Sequence, residues 1–298
     1  MSLFDDIASP VRERVPLAPF TWFKLGGPAE YLFEPQSIAD LARIISRCRE
    51  SGTPLRFLGL GANLIVRDEG VPGVVVRLTA PAFNEFLDAP RSSGSHLLTA
   101  GAGVDMTKLV LSTVKRGLAG LEQIAGIPGT VGGGIAMNCG GRYGEIGKAV
   151  HSVRVIGPDG EIYDRDHDDL QFSYRRTALG EDCVVGVTFQ LHPQDPAALD
   201  RRFREIWMYK QNTQPPLGCQ SVGCIFRNPE GHSAGQLIDN SGLKGHRLGT
   251  AYVSDRHANF VLADTGGKAA DVIRLIEEIT ERVEQRTGIR LEPEVKIW

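Results

Sequence analysis

The chain has 298 residues, and 33 basic against 36 acidic side chains leave a formal net charge of −3. At roughly 150 residues per domain, this length suggests two domains or three small ones. Hydrophobic residues at 42% and charged residues at 23% exclude a disordered or fibrous chain, and the slightly acidic balance lacks the basic surplus of a nucleic-acid binder. No apolar run approaches the roughly 18 residues of a membrane helix. The start, Met1-Ser2-Leu3-Phe4-Asp5-Asp6, has no basic n-region of a signal peptide, so the sequence points to a cytoplasmic protein without membrane, nucleic-acid or obligate protein partners.

In chain order, Thr21 to Pro28 reads as a short strand stopped by a turn. Asp40 to Arg49 places Leu41, Ile44, Ile45 and Cys48 at helical spacing, and Gly52 ends the helix. Leu55 to Leu58 reads as a strand that runs straight into Gly59-Leu60-Gly61-Ala62-Asn63-Leu64, with further strands at Ile65-Val66 and Val74 to Val76. The middle third has strands at His96 to Ala100 and Val153 to Ile156. A helix from Met106 to Arg116, ended by Gly117, lies between them. Pro158-Asp159-Gly160 is a hairpin turn, and Cys183 to Leu191 a further strand. The last third predicts helices over Leu199 to Gln211, Ser233 to Ser241 and Lys268 to Thr287, then a closing strand at Val295 to Ile297.

Two segments stand out among the 35 glycines. Gly59-x-Gly61 directly after a strand offers backbone N–H groups suited to an anionic phosphate, although a tight turn would use the same residues. It is neither a Rossmann fingerprint nor a P-loop, because the third glycine and a following Gly-Lys-Ser/Thr are absent. The second segment, residues 126–141, sets glycines beside Ile127, Val131, Ile135 and Met137, a composition that lets backbone approach a ligand closely. Two such loops suggest a large dinucleotide. The five cysteines are scattered, and the one close pair, Cys219 and Cys224, has no second pair at zinc spacing. Neither a disulfide framework nor a metal site is expected.

Ordered motifs then run nearly the length of the chain. They are Thr21-x-Phe23-x-Leu25-Gly26-Gly27-Pro28-Ala29, Leu58-Gly59-x-Gly61-Ala62-Asn63-Leu64 and Gly120-Leu121-Glu122-x-Ile124-x-Gly126-Ile127-Pro128-Gly129-Thr130-Val131-Gly132-Gly133. Tyr174-Arg175, Gln214-Pro215, Gly223-Cys224-Ile225-Phe226-Arg227-Asn228-Pro229 and Ala234-Gly235-x-Leu237-Ile238-Asp239 continue the series. Gly242 to Gly245, Val253-Ser254-x-x-His257-Ala258-Asn259-Phe260 and Leu291-Glu292-Pro293-Glu294-Val295 complete it. Together they resemble the UDP-N-acetylenolpyruvoylglucosamine reductase family of bacterial peptidoglycan precursor synthesis. The short stretch between Arg175 and Lys210 leaves little room for the tyrosine-bearing loop of longer members, so the chain resembles the shorter subtype.

The resemblance implies an α+β protein: a two-domain FAD-binding fold of the vanillyl-alcohol-oxidase (PCMH) type over residues 1–78 and 79–198, and a C-terminal substrate domain over 199–298. It implies non-covalent FAD, NADPH as hydride donor and UDP-N-acetylglucosamine enolpyruvate as substrate. The cofactor would be held by Gly59, Gly61, Ala62, Asn63, Leu64, Gly126, Ile127, Pro128, Gly129, Thr130, Gly132, Gly133, Asn138, Gly140 and Val184. Tyr174, Lys210, Gln214, Asn228, His257 and Asn259 would face the substrate, although His257 and Lys210 have ready structural roles as well.

Three residues would be catalytic. Hydride addition to the enol ether pushes charge onto the substrate carboxylate, which calls for a cation there and an acid at the adjacent carbon. Arg175 matches the arginine, its planar fork suiting a carboxylate, and Glu294 matches the glutamate that assists the enolate. Cys224 stands where the family usually has a serine as proton donor. A thiol, with reference pKa about 8.5, is a far stronger acid than an alkyl hydroxyl, provided it stays protonated. Ser221 is the fallback donor. Another FAD oxidoreductase of the same fold and a catalytically decayed flavin protein are the alternatives.

Overall fold

The computed structural model describes residues 7, 9–88, 95–216 and 218–298, so the acidic start of the chain lies outside the described residues. Two compact units divide it. The first comprises the described residues up to Glu13 with Tyr31–Gly59 and Gly73–Tyr209; the second comprises Arg14–Glu30, Leu60–Pro72 and Lys210–Trp298.

The first unit holds two hydrophobic cores. One forms where Leu41, Ile44, Ile45 and Cys48, the apolar face of helix Ile38–Glu50, meet Phe33, Val74, Val76 and Phe83. Ser37 caps that helix by accepting the Asp40 N–H at 3.1 Å. Here Leu55–Phe57 pairs in parallel with Val74–Val76, as Leu55 opposite Val74 and Phe57 opposite Val76. The other core lies against an antiparallel sheet ordered Ile162–Asp166, Val150–Ile156, Cys183–Pro193, His96–Gly101 and Phe86–Asp88. Helix Met106–Lys115 packs there through Leu109, Val110 and Val114. Asp105 caps it by accepting the N–H groups of Thr107 and Lys108.

In the second unit, Ala234–Asn240 and Ala269–Thr287 pack on Val222, Ile225 and Phe226, beside the three strands Arg247–Leu248, Ala251–Val253 and Val261–Ala263. The long helix buries Val272, Ile273, Leu275, Ile276, Ile279 and Val283 and ends at Gly288 with φ 73°. Its N-terminus is capped from far away in sequence, because both Asp68 carboxylate oxygens accept, from the N–H groups of Ala269 (2.9 Å) and Ala270 (3.0 Å). Phe23, Leu25 and Ile65 join this C-terminal core.

The strand expected over Thr21 to Pro28 is a turn instead. Thr21 Oγ1 donates to the Leu25 carbonyl at 3.0 Å, Lys24 and Gly26 take φ of 56° and 117°, and the strand follows at Pro28–Phe33. A Cβ on Gly26 would lie 2.5 Å from Val66 Cβ, so close packing rather than strand pairing fixes the glycine.

Candidate active site

Gly59, the last residue of its stretch in the first unit, meets the second glycine segment there. Strand Leu55–Phe57 continues through Leu58, whose N–H reaches the Val76 carbonyl at 2.8 Å, and delivers Gly59 against Thr130. A Cβ on Gly59 would stand 2.6 Å from Thr130 Oγ1 and 3.2 Å from its Cγ2, so a larger residue fits only if the loop shifts or Thr130 turns. Thr130 in turn caps helix Val131–Ala136 by accepting the Gly133 N–H at 3.3 Å. The loop is pinned on its other side too: Val131 N–H donates to Val104 O at 2.9 Å, Gly132 N–H to Ala102 O at 2.8 Å, and Met106 N–H to Gly129 O at 3.0 Å.

This divides the glycines of residues 126–141 by cause. Gly132, Gly134 and Gly140 serve packing, since a Cβ there would lie 2.9 Å from Ala102 Cβ, 2.6 Å from Met106 Sδ and 2.5 Å from Gly144 O respectively. Gly126 to Gly129 are half-buried and Gly133 is exposed. Gly129, Gly133 and Gly59 carry no side chain along this stretch, which leaves the backbone open to close approach. Val184, at the core side of this unit, pairs with Val155 across the sheet.

Asn138 follows the short helix, fully buried and with φ 40°. Its Oδ1 accepts the Gly147 N–H at 3.1 Å, and its Nδ2 donates to the Ser173 carbonyl at 2.9 Å. Ser173 opens a two-residue turn, exchanging backbone hydrogen bonds with Arg176 at 3.0 and 3.1 Å and leaving Tyr174 and Arg175 at the tip. Arg175 takes φ 57°, a left-handed conformation that costs a non-glycine residue about 1–2 kcal/mol. Its guanidinium carbon lies 5.5 Å from the Tyr174 ring centroid.

In the second unit, residues 221–228 run between two other segments. On one side Cys224 pairs antiparallel with Phe260, and Ile225 N–H donates to Asn259 O at 2.8 Å. On the other, Glu294 N–H donates to Ile225 O at 2.7 Å, and Arg227 N–H to Glu292 O at 2.9 Å. Asn259, 3% exposed, pairs its amide with the Phe226 backbone, accepting its N–H at 2.9 Å and donating to its carbonyl at 2.8 Å. Cys224 and Glu294 are thus held on neighbouring lines of backbone. Asn63 Nδ2 donates to the Glu294 carbonyl at 3.2 Å, beside the parallel pairing of Leu64–Ile65 with Lys296–Ile297. Gly61 is fixed by Trp22, whose N–H donates to its carbonyl at 3.1 Å.

His257 is half-buried at this edge, and burial lowers its pKa below the ordinary histidine value. Its Nδ1 accepts the Asn259 N–H at 3.3 Å, which leaves the proton of the neutral ring on Nε2. Asn228 Oδ1 accepts the Ala234 N–H at 2.9 Å, the first amide of helix Ala234–Asn240, whose N-cap is Ser233. The Gln214 carbonyl accepts from Arg256 at 3.3 Å, and Gln214 N–H donates to the Lys210 carbonyl at 2.9 Å. Three buried polar atoms of this stretch, Gln220 Oε1, Ser221 Oγ and Arg227 Nε, have no protein hydrogen-bond partner. Buried polar groups are nearly always satisfied, so these three atoms stand out.

A family model for the C-terminal domain of UDP-N-acetylenolpyruvoylglucosamine reductase matches residues 214–298, and an FAD-binding domain model matches residues 29–165. Over 290 residues the chain is 39% identical to UDP-N-acetylenolpyruvoylglucosamine reductase 2 of Symbiobacterium thermophilum, covering 97% of this chain and 92% of that protein. The chain belongs to the UDP-N-acetylenolpyruvoylglucosamine reductase family. A Geobacter metallireducens member is 41% identical over 284 residues, 95% of this chain and 92% of that one. The solved structure of the Thermus caldophilus enzyme superimposes with a TM-score of 0.82 at 35% identity, covering 97% of this chain and 99% of that one. A solvent-stable cholesterol oxidase shares the FAD-binding fold alone, with a TM-score of 0.51 at 20% identity over 63% of this chain and 39% of its own.

The matched ranges apportion the reductase family's features over this chain. Gly59 and Gly126 to Gly133 fall in the FAD-binding match, and Cys224, Asn259 and Glu294 in the C-terminal match, while Arg175 lies in neither. Thr177 escaped the sequence reading. Its hydroxyl donates to the Ile135 carbonyl at 2.7 Å, a bond to a backbone acceptor that leaves no trace in residue pattern. Among the described residues no group of three His, Cys, Asp or Glu side chains is placed to hold a metal ion. No helix among them is long and apolar enough to cross a membrane.

Proposed function

We propose that this chain reduces UDP-N-acetylglucosamine enolpyruvate to UDP-N-acetylmuramate in the cytoplasm, with non-covalent FAD as cofactor and NADPH as reductant. The observation that carries the reading is the Cys224 segment held between Asn259 and Glu294, in a chain similar end to end to this family. Residues 1–78 and 79–198 serve the cofactor and 199–298 the substrate. Gly59, Gly126 to Gly129 and Gly133 would hold FAD by backbone contact, joined by Gly61 to Leu64. The chemistry supplied by bound FAD is storage of a hydride from NADPH and its delivery to the terminal alkene carbon of the substrate.

The residues of the chain manage the charge that this addition creates. Arg175 meets the substrate carboxylate, where its two parallel N–H donors stabilise the developing enolate. Glu294 assists that enolate. Cys224 Sγ holds the proton that passes to the carbon bearing the carboxylate, closing the saturated lactyl ether. Tyr174, Lys210, Gln214 and His257 line the diphosphate and sugar. Asn228 and Asn259 shape that surface through the backbone bonds they already make.

The unpartnered Ser221 hydroxyl supports a second donor assignment. Anaerobic reoxidation separates the two. The protein is reduced with NADPH, the enolpyruvyl substrate is added, and the flavin band is followed. Cys224→Ala abolishing reoxidation while Ser221→Ala retains it supports the thiol, and the reverse assigns Ser221. With Cys224 as donor, activity falls at alkaline pH as the thiol ionises, and Cys224→Ser removes that limb. An unchanged profile in the serine variant refutes the assignment. Reduction by NADPH without reoxidation by this substrate would instead indicate another acceptor.

A further inference from the structure

The turn that carries Arg175 is tied to the glycine-rich helix by two side chains that nothing in the chemistry requires. Asn138, one residue beyond the C-cap of Val131–Ala136, donates to Ser173 O at 2.9 Å, at the start of the turn. Thr177, immediately after the turn, donates to Ile135 O at 2.7 Å, in the last turn of the same helix. The two bonds therefore grip the turn on both flanks and anchor both to one short element. The N-terminus of that element is fixed by Thr130 against Gly59.

The anchor is itself over-determined. Asn138 is fully buried and accepts from Gly147 N–H at 3.1 Å. A Cβ on Gly147 would fall 2.8 Å from Asn138 Oδ1 and 2.7 Å from Phe172, the residue preceding the turn. Arg175 sits between the flanks with φ 57°, a conformation that relaxes unless its surroundings enforce it.

We propose that Asn138 and Thr177 are positioning residues for Arg175, fixing the guanidinium relative to the glycine-rich helix through the flanks of its turn. The proposal rests on the reading that Arg175 meets the substrate carboxylate. Neither residue touches substrate. Each acts by narrowing the range of positions Arg175 explores, and misplacing a catalytic group by about 1 Å can cost on the order of a hundredfold in rate.

The test separates the two half-reactions of the FAD-loaded enzyme. Thr177→Val removes one hydroxyl at nearly constant shape. Thr177→Ser restores it. Asn138→Gly removes the side chain while tolerating the left-handed backbone, and Asn138→Asp keeps the acceptor for Gly147 but loses the donor to Ser173. The expected result is a 10- to 100-fold slower anaerobic reoxidation by the enolpyruvyl substrate in Thr177→Val, Asn138→Gly and Asn138→Asp. In Thr177→Val, flavin reduction by NADPH and FAD content stay within twofold, and Thr177→Ser matches the parent. In an Arg175→Ala background, Thr177→Val adds no further loss, because the group it positions is gone.

If Arg175→Ala reoxidises at the parent rate, the reading of Arg175 fails and the proposal falls with it. If Arg175→Ala is slow but Thr177→Val reoxidises like the parent, or its loss adds in full to that of Arg175→Ala, the positioning role alone is overturned. Should Asn138→Gly fail to load FAD, the Thr177 pair decides.

Discussion

Replacing Gly59 by Ala introduces a single methyl against Thr130, in the loop proposed to hold FAD. That carbon would lie 2.6 Å from Thr130 Oγ1 and 3.2 Å from Thr130 Cγ2, with Thr130 Cβ next at 3.5 Å. The first contact is far inside van der Waals range, so the loop must withdraw or Thr130 must turn and surrender its cap on Gly133 N–H. Overpacking of this kind costs about 1–3 kcal/mol; with FAD bound only by the unshifted loop, that cost falls on binding and at about 1.4 kcal/mol per decade is a roughly 5- to 150-fold weaker FAD affinity. Thr130→Ala alone loses the helix cap, worth about 1 kcal/mol. The double variant removes both close contacts and leaves the 3.5 Å one, an ordinary separation, so its penalty falls back to about that of the lost cap. Titration of the apoprotein with FAD, read by quenching of flavin fluorescence, measures all four corners of the cycle. Penalties that simply add, or a Gly59→Ala protein that binds FAD like the parent, would refute the claim that Thr130 is what forbids a side chain at 59.

Two further outcomes follow from single hydrogen-bonded groups. Asn259→Ala strands the buried Phe226 N–H and carbonyl, at about 1–3 kcal/mol each, so the melting temperature drops by several degrees; a melt superimposable on the parent would show that the Phe226 pairing is dispensable. The Asp271 pKa is lowered to about 2, first by the Thr250 N–H and hydroxyl at 2.9 and 2.8 Å and then by Arg274. Its folded value lies below the unfolded one near 3.9, so its contribution is complete above about pH 4 and fades as the pH falls toward 2. Asp271→Asn should therefore cost about 2 kcal/mol at neutral pH and flatten that acid limb in denaturant titrations. Equal acid sensitivity in both proteins would remove Asp271 as its source.

Local chemistry alone fixes much of this protein. The helices that carry their own caps and apolar faces, Met106–Lys115 behind Asp105, Ala234–Asn240 behind Ser233 and Ala269–Thr287 before Gly288, stand within a few residues of where periodicity and capping put them. Those signals are short-ranged: the cap acts over three residues and the helical face repeats every three or four, so they survive without knowledge of the rest. The order of motifs likewise sufficed for the family.

Tertiary structure decided what those signals do not encode. Thr21 to Gly27 forms a turn because Gly26 must close on Val66, forty residues away. Glycines that look alike in residues 126–141 divide into those that face a neighbouring backbone or side chain and those left at the surface, a distinction that needs the neighbour. Asp68 caps a helix some two hundred residues later, and Asn138, Thr177 and Asn259 spend their side chains on distant backbone groups. Every residue but proline offers the same amide donor and acceptor, so a partner of this kind has no signature in sequence, and only the folded path of the chain selects it.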